Sequence, residues 1–181
     1  MRIFIIGFMA SGKSTIGKKL SKKLNMPFID LDKVIEENQN QTIRSLIYQS
    51  GEEQFRQIEK EMLHTVISQN DHAVISTGGG TPCFFDNMEQ MNRAGTTIYL
   101  EVDLAVLINR LMNSKTERPL IWGKSKADLT KYAQSLLEKR NPYYSKAKYK
   151  ISGKNLSADD LIDLYNLKDN ISGTYDRSAS G

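Results

Sequence analysis

Short apolar runs alternate along the chain with longer stretches in which apolar side chains return every three or four residues, a pattern that predicts a parallel sheet covered by helices on both faces. The runs are RIFII (2–6), PFID (27–30), HAVIS (72–76), TTIYLE (96–101) and a weaker KYKIS (148–152). Helical spacing begins after Lys13 and recurs over 31–38, 52–69, 103–112, 126–140 and 157–166. In 52–69 it sets Phe55, Ile58, Met62, Thr65 and Val66 along one face. Five such strands suffice for a small doubly wound α/β sheet. The segment NSKTERPLIWGKSK (113–126) has no sustained period and is rich in charge, with a proline and a glycine inside. A loop of that length in a compact domain is expected to be a mobile cover over a functional site. The polar, small-residue stretch ISGTYDRSASG (171–181) predicts a frayed tail.

Composition narrows the function more than the fold. At 181 residues the chain is expected to form one domain, over 1–168, with 169–181 as a flexible tail. Twenty-five Lys and Arg against 21 Asp and Glu leave a net charge of +4, which suits a small anionic ligand. The lysines are scattered on helix faces, so neither a nucleic-acid surface nor a membrane surface is expected. The densest basic stretch, KKLSKKL (Lys18 to Leu24), is read as a solvated helix face. No apolar run approaches the roughly 18 residues of a membrane span, and IFII is too short for a secretory leader, so a cytoplasmic location is expected. Cys83 is the only cysteine, which excludes an intrachain disulfide and is read as a small buried hydrophobe.

The first candidate chemistry is GFMASGKST, Gly7 to Thr15, lying between a predicted strand and a predicted helix. Gly, four residues, Gly, Lys, then Ser or Thr is the P-loop template. Gly7 and Gly12 let the backbone turn so that the N–H groups of Ala10, Ser11, Gly12, Lys13, Ser14 and Thr15 face a polyphosphate at the positive end of the next helix. Lys13 can reach the β and γ phosphates, and Ser14 can offer a hydroxyl to Mg²⁺. That motif specifies a nucleoside triphosphate and leaves the acceptor open.

Four further features bear on the acceptor. FIDLD places Asp30 and Asp32 at the carboxyl end of a strand, where ligands gather in open α/β sheets; the same pair could simply begin a helix. In GEEQFRQIE (Gly51 to Glu59), Arg56 and Glu59 stand at i, i+3, either as an oriented guanidinium for binding a carboxylate or as a surface ion pair. STGGG (Ser76 to Gly80) offers three backbone positions without side chains, either for close approach to a ligand or as a flexible turn. Arg118 in ERPLI and Arg140 in EKRNPYY are either anion ligands or ordinary exposed arginines.

Taken in order and at these intervals, GFMASGKS, FIDLD, GEEQFRQIE, STGGG, RPLI and RNPYY resemble shikimate kinase from about residue 3 to about residue 165. The resemblance implies a single-domain P-loop kinase with a five-stranded parallel sheet flanked by helices, a substrate-binding region and a mobile lid. It implies transfer of the γ-phosphoryl of ATP to the 3-hydroxyl of shikimate, on the route to chorismate and aromatic amino acids, by a monomer using Mg²⁺. Carried onto this sequence, it assigns transferring phosphate to Lys13 and Arg118, and Mg²⁺ to Ser14 with Asp30 in the outer shell. Asp32 becomes the base and a ligand of the shikimate hydroxyls. Arg56 and Arg140 become the carboxylate clamp, with Glu59 orienting Arg56. Gly78, Gly79 and Gly80 meet the ring hydroxyls, and Arg110 stands next to adenine. The sequence departs from the family at ISGKNLSADD, where no adenine-loop motif is legible, and at Ile121, where leucine is usual; Trp122 is read as apolar cover. The competing readings are another small-molecule kinase on the same scaffold, such as a gluconate-type kinase, and a non-catalytic ATP binder.

Overall fold

The structure is a computed structural model that describes residues 1–113, 125–154 and 156–164. Most of the span expected to form a lid, with Arg118, Ile121 and Trp122, lies outside the described residues, as does the whole expected tail. Five parallel strands, β1 (Arg2–Ile6), β2 (Phe28–Asp30), β3 (Ala73–Ser76), β4 (Thr96–Glu101) and β5 (Tyr149–Ser152), form one sheet in the order β2-β3-β1-β4-β5. The helices are α1 (Lys13–Lys23), α2 (Leu31–Gln39), α3 (Ile43–Gln69), α4 (Asn87–Ala94), α5 (Leu104–Met112), α6 (Lys126–Tyr144) and α7 over 158–164, with a 3₁₀ turn at Thr81–Cys83.

The apolar run at the start of the chain becomes the central strand because both of its faces are covered. Phe4 and Ile6 pack on one side with Ile75, Tyr99 and the faces of α2 to α6, whereas Ile3 and Ile5 pack on the other with Val74, Ile98 and Leu100 beneath α1 and α7. Each of these large side chains contributes about 1.5–3 kcal/mol by leaving water. The outer strand β5 alternates half-buried and exposed positions, as an edge strand with one packed face should.

The five predicted strands are all present, three of them a residue shorter than expected at the start. Two helical segments went unread. α4 spans only eight residues, and its buried Met88 and Met91 mark too few turns to show a period. The helix expected from 52 begins at Ile43, capped by the Thr42 hydroxyl, which accepts from the Ser45 N–H at 3.2 Å. It breaks at Gly51, where φ is 83°. A Cβ there would meet nothing within 4 Å, so glycine answers the backbone conformation rather than a lack of space. Among the described residues no helix is long and apolar enough to cross a membrane.

Candidate functional site

At the carboxyl ends of β1, β2 and β3 the chain delivers the P-loop, the Asp30–Asp32 segment and the glycine turn side by side, because β3 pairs with both β1 and β2. This is the crevice where open α/β sheets hold ligands. The loop after β1 carries three residues at positive φ, Gly7, Gly12 and, unusually for a residue with a side chain, Ala10 at 61°. Strain of that kind is kept where backbone N–H groups must point at a ligand. The Lys13 ammonium is buried and donates to the carbonyls of Gly7 and Phe8, each at 2.9 Å, so its charge sits inside the loop's curve. Arg110, from the last turn of α5, donates to the carbonyls of Ala10 and Ser11 at 3.2 and 3.1 Å. Its other amino group lies 3.4 Å from the Lys154 carbonyl, tying the loop to the segment after β5. Ser14 Oγ lies 3.4 Å from Ser76 Oγ, and Asp30, paired in register with Ser76, begins α2 without using its side chain as a cap. Ser14, Ser76 and Asp30 offer oxygen atoms here, the kind of ligand a hard cation such as Mg²⁺ takes, although no cluster of three or more acidic, histidine or cysteine ligands stands among the described residues.

The opposite wall is made of side chains. Arg56 and Glu59 are not a surface pair: they are 8% and 1% exposed. Arg56 Nη1 donates to Glu59 Oε2 at 2.8 Å, while Nη2 donates to Glu52 Oε1 at 3.0 Å and the guanidinium carbon lies 4.2 Å from the Phe84 ring centre. A guanidinium held this firmly loses little freedom on meeting an anion. Asp32 is half-buried, and its carboxyl is pushed up to about 6. Burial is the main cause, Lys13 opposes it, and the charges of Glu59, Asp30 and Glu36 add to it. Arg140, on α6, lies over the Phe8 ring at 5.8 Å, and one turn later the Tyr144 hydroxyl donates to the Gly79 carbonyl at 2.5 Å. Cys83 is only partly buried and sits close enough to Arg140 and Arg56 to feel both charges; burial nevertheless pushes its thiol up to about 11. A thiol in that condition is no nucleophile at neutral pH.

The glycine turn joins these groups. A Cβ on Gly78 would stand 2.7 Å from Asp32 Oδ1 and 3.0 Å from Glu59 Oε1. One on Gly79 would stand 3.3 Å from both Arg140 Nη1 and the Met9 nitrogen of the P-loop, and one on Gly80 only 2.6 Å from Arg56 Nη2. Real Cβ atoms essentially never approach as closely as those on Gly78 and Gly80 would, and the one on Gly79 would be tight, so the turn is glycine because four segments crowd against it. Asp32, Arg56, Arg140 and the P-loop, far apart in sequence, thus share one small space. Arg118 lies outside the described residues.

Several contacts here were not read from sequence. Glu52 at i−4 of Arg56 and Tyr144 at i+4 of Arg140 were open to detection by helical spacing alone. Phe84 and Thr81 carried no local signal, and Ser76 was read only as the start of the glycine motif. Thr81 Oγ1 donates to Glu59 Oε1 at 2.6 Å, a link between the glycine turn and α3 that only the fold creates.

A family model described as shikimate kinase matches residues 9–168. A shikimate kinase of Bacteroides fragilis is 50% identical over 149 residues, covering 82% of this chain and 83% of its own length. The crystal structure of shikimate kinase from Bacteroides thetaiotaomicron superposes with a TM-score of 0.88 at 43% identity, covering 92% of this chain and 98% of that one. Shikimate kinase from Acinetobacter baumannii in complex with shikimate gives a TM-score of 0.79 at 29% identity, over 95% of this chain and 93% of that one.

Proposed function

The chain belongs to the shikimate kinase family, and from that premise we infer that it transfers the γ-phosphoryl group of ATP to the 3-hydroxyl of shikimate, releasing ADP and shikimate 3-phosphate. The observation that carries the residue roles is the glycine turn, which touches the P-loop, Asp32, Arg56 and Arg140 together. Shikimate is a ring with one carboxylate and three hydroxyls. A site for it needs cations at one end and a carboxylate with backbone groups at the other, and the turn brings both within one ligand's reach.

In this reading Arg56 and Arg140 hold the substrate carboxylate, with Glu59 fixing Arg56. Asp32 hydrogen-bonds the ring hydroxyls and accepts the proton of the attacking one as the new O–P bond forms and the bond to the β-phosphate oxygen breaks. A base near 6 suits this task, being mostly ionised at neutral pH and less solvated than a surface carboxylate. Backbone N–H groups of Ala10 to Thr15 cradle the phosphates, Lys13 and Arg118 balance charge on the transferring group, and Arg110 stands beside the nucleotide base. Ser14 and Asp30 would hold Mg²⁺, which when bound offsets charge on the β and γ oxygens. The enzyme works as a cytoplasmic monomer, and its site must keep out water that would otherwise accept the phosphoryl group.

Measuring ADP release with shikimate, gluconate and a nucleoside monophosphate in parallel tests the assignment. Shikimate alone is expected to raise turnover above the slow hydrolysis of ATP; stimulation by gluconate or the monophosphate instead would reject it.

A further inference from the structure

Glu59 does more than balance Arg56, because its two oxygens face different parts of the molecule. Oε2 accepts from Arg56 Nη1 at 2.8 Å, and Oε1 accepts from the Thr81 hydroxyl at 2.6 Å. Both Glu59 and Thr81 are essentially sealed from solvent, at 1% and 0% exposure. A sealed carboxylate with one oxygen left unpaired loses half of what fixes its orientation, and the placement of the Arg56 guanidinium loosens with it. The Thr81 backbone is itself fixed: its N–H reaches the Gly78 carbonyl at 3.3 Å, and its own carbonyl accepts from the buried Asn87 side chain at 3.0 Å. Pro82, following directly in the 3₁₀ turn, stiffens it further. The hydroxyl therefore lies at the end of a rigid arm.

We propose that Thr81 is a positioning residue for the shikimate carboxylate: by donating to Glu59 Oε1 it sets the orientation of Glu59, and through Glu59 the placement of the Arg56 guanidinium. The hydrogen-bond chain runs Thr81 to Glu59 to Arg56 to substrate, with Asn87 anchoring its base. The nucleotide half of the site lies outside this chain. The inference rests on Arg56 binding the substrate carboxylate, as argued above.

The test compares Thr81→Val, which keeps the shape and removes the donor, with Thr81→Ser, which keeps the donor and removes a methyl. Thr81→Ala and Arg56→Ala complete the set. Each variant is followed by KM for shikimate, KM for ATP, kcat and thermal unfolding. Thr81→Val is expected to raise KM for shikimate about tenfold, the usual cost of losing a hydrogen bond to a buried charge, while KM for ATP stays within about twofold. Thr81→Ser should stay within about twofold of the parent on both, which a purely packing role for the threonine methyl would not allow. Thr81→Ala must reproduce the split, so that poor folding of the valine variant does not decide the matter. An unchanged shikimate KM in Thr81→Val and Thr81→Ala, alongside a large rise in Arg56→Ala, overturns the role of Thr81 and leaves the carboxylate clamp standing. An unchanged shikimate KM in Arg56→Ala overturns both. Equal rises for shikimate and ATP in the valine and serine variants, with matching loss of thermal stability, assign Thr81 to structure alone.

Discussion

The loop of residues 7–14 offers a ligand mostly backbone, whereas the wall facing it, from Asp32 to Arg140, offers side chains braced against one another. In the loop, Gly7, Ala10 and Gly12 adopt positive φ, and the cations Lys13 and Arg110 hold loop carbonyls. In the wall, Arg56 is gripped by Glu52, Glu59 and Phe84, and Glu59 by Arg56 and Thr81. Gly12 and Gly80 differ in the same sense, although Gly7 is both at positive φ and crowded by the Leu100 carbonyl. Gly12 has room for a methyl, its nearest neighbour being 3.7 Å away, but adopts φ 97°; Gly80 has an ordinary φ of −91° but no room at all. A polyphosphate is read by backbone geometry that a few adjacent residues can build. A small asymmetric acid must be read by side chains gathered from several elements, which makes that half intolerant of added bulk.

The largest expected effect falls where the halves meet. Asp32→Asn keeps the shape but removes the proposed base, so kcat should drop by about 10²- to 10⁴-fold, while ATP affinity measured by calorimetry stays within about twofold. Retention of more than a tenth of the parent kcat would show that Asp32 is not the base. Next comes Gly80→Ala, which drives a methyl into the Arg56 guanidinium and should raise KM for shikimate by about 100-fold with KM for ATP unmoved. Its counterpart, Gly12→Ala, meets backbone strain of about 1–2 kcal/mol and should raise KM for ATP about tenfold with KM for shikimate unmoved. If the two alanines gave the same pattern, the division between a backbone half and a side-chain half would fail.

The smallest effect is on stability. Because burial raises the Asp32 carboxyl from 3.8 to about 6, the protonated form favours folding, and that contribution is full below 3.8 and lost as pH rises through about 6. Ligand-free parent protein should therefore melt a few degrees below Asp32→Asn at pH 7.5, and the gap should narrow to about half at pH 5 and close only below about 3.8. A parent that gains on the variant as pH rises would mean that Lys13 outweighs burial.

The sequence by itself determined the elements whose signals are local. Alternation of apolar runs with helical spacing is enough to give the five strands and most helices, since a run buried on both faces must be apolar throughout, as Ile3 to Ile6 is. The spacing of Gly7, Gly12, Lys13 and Ser14 is enough for the P-loop, because an anion nest is built from consecutive amides. Only the tertiary structure decided how the Arg56–Glu59 pair and the glycine run are placed. Arg56 and Glu59 have the same spacing whether they lie in water or in the interior, and the choice depended on the 3₁₀ turn and Phe84 packing over them. The glycine run reads alike as a flexible link or a crowded junction, and the side chains that crowd it come from α2, α3 and α6. Burial and close approach are set by what the rest of the chain brings to a residue, and no stretch of sequence carries that information about itself.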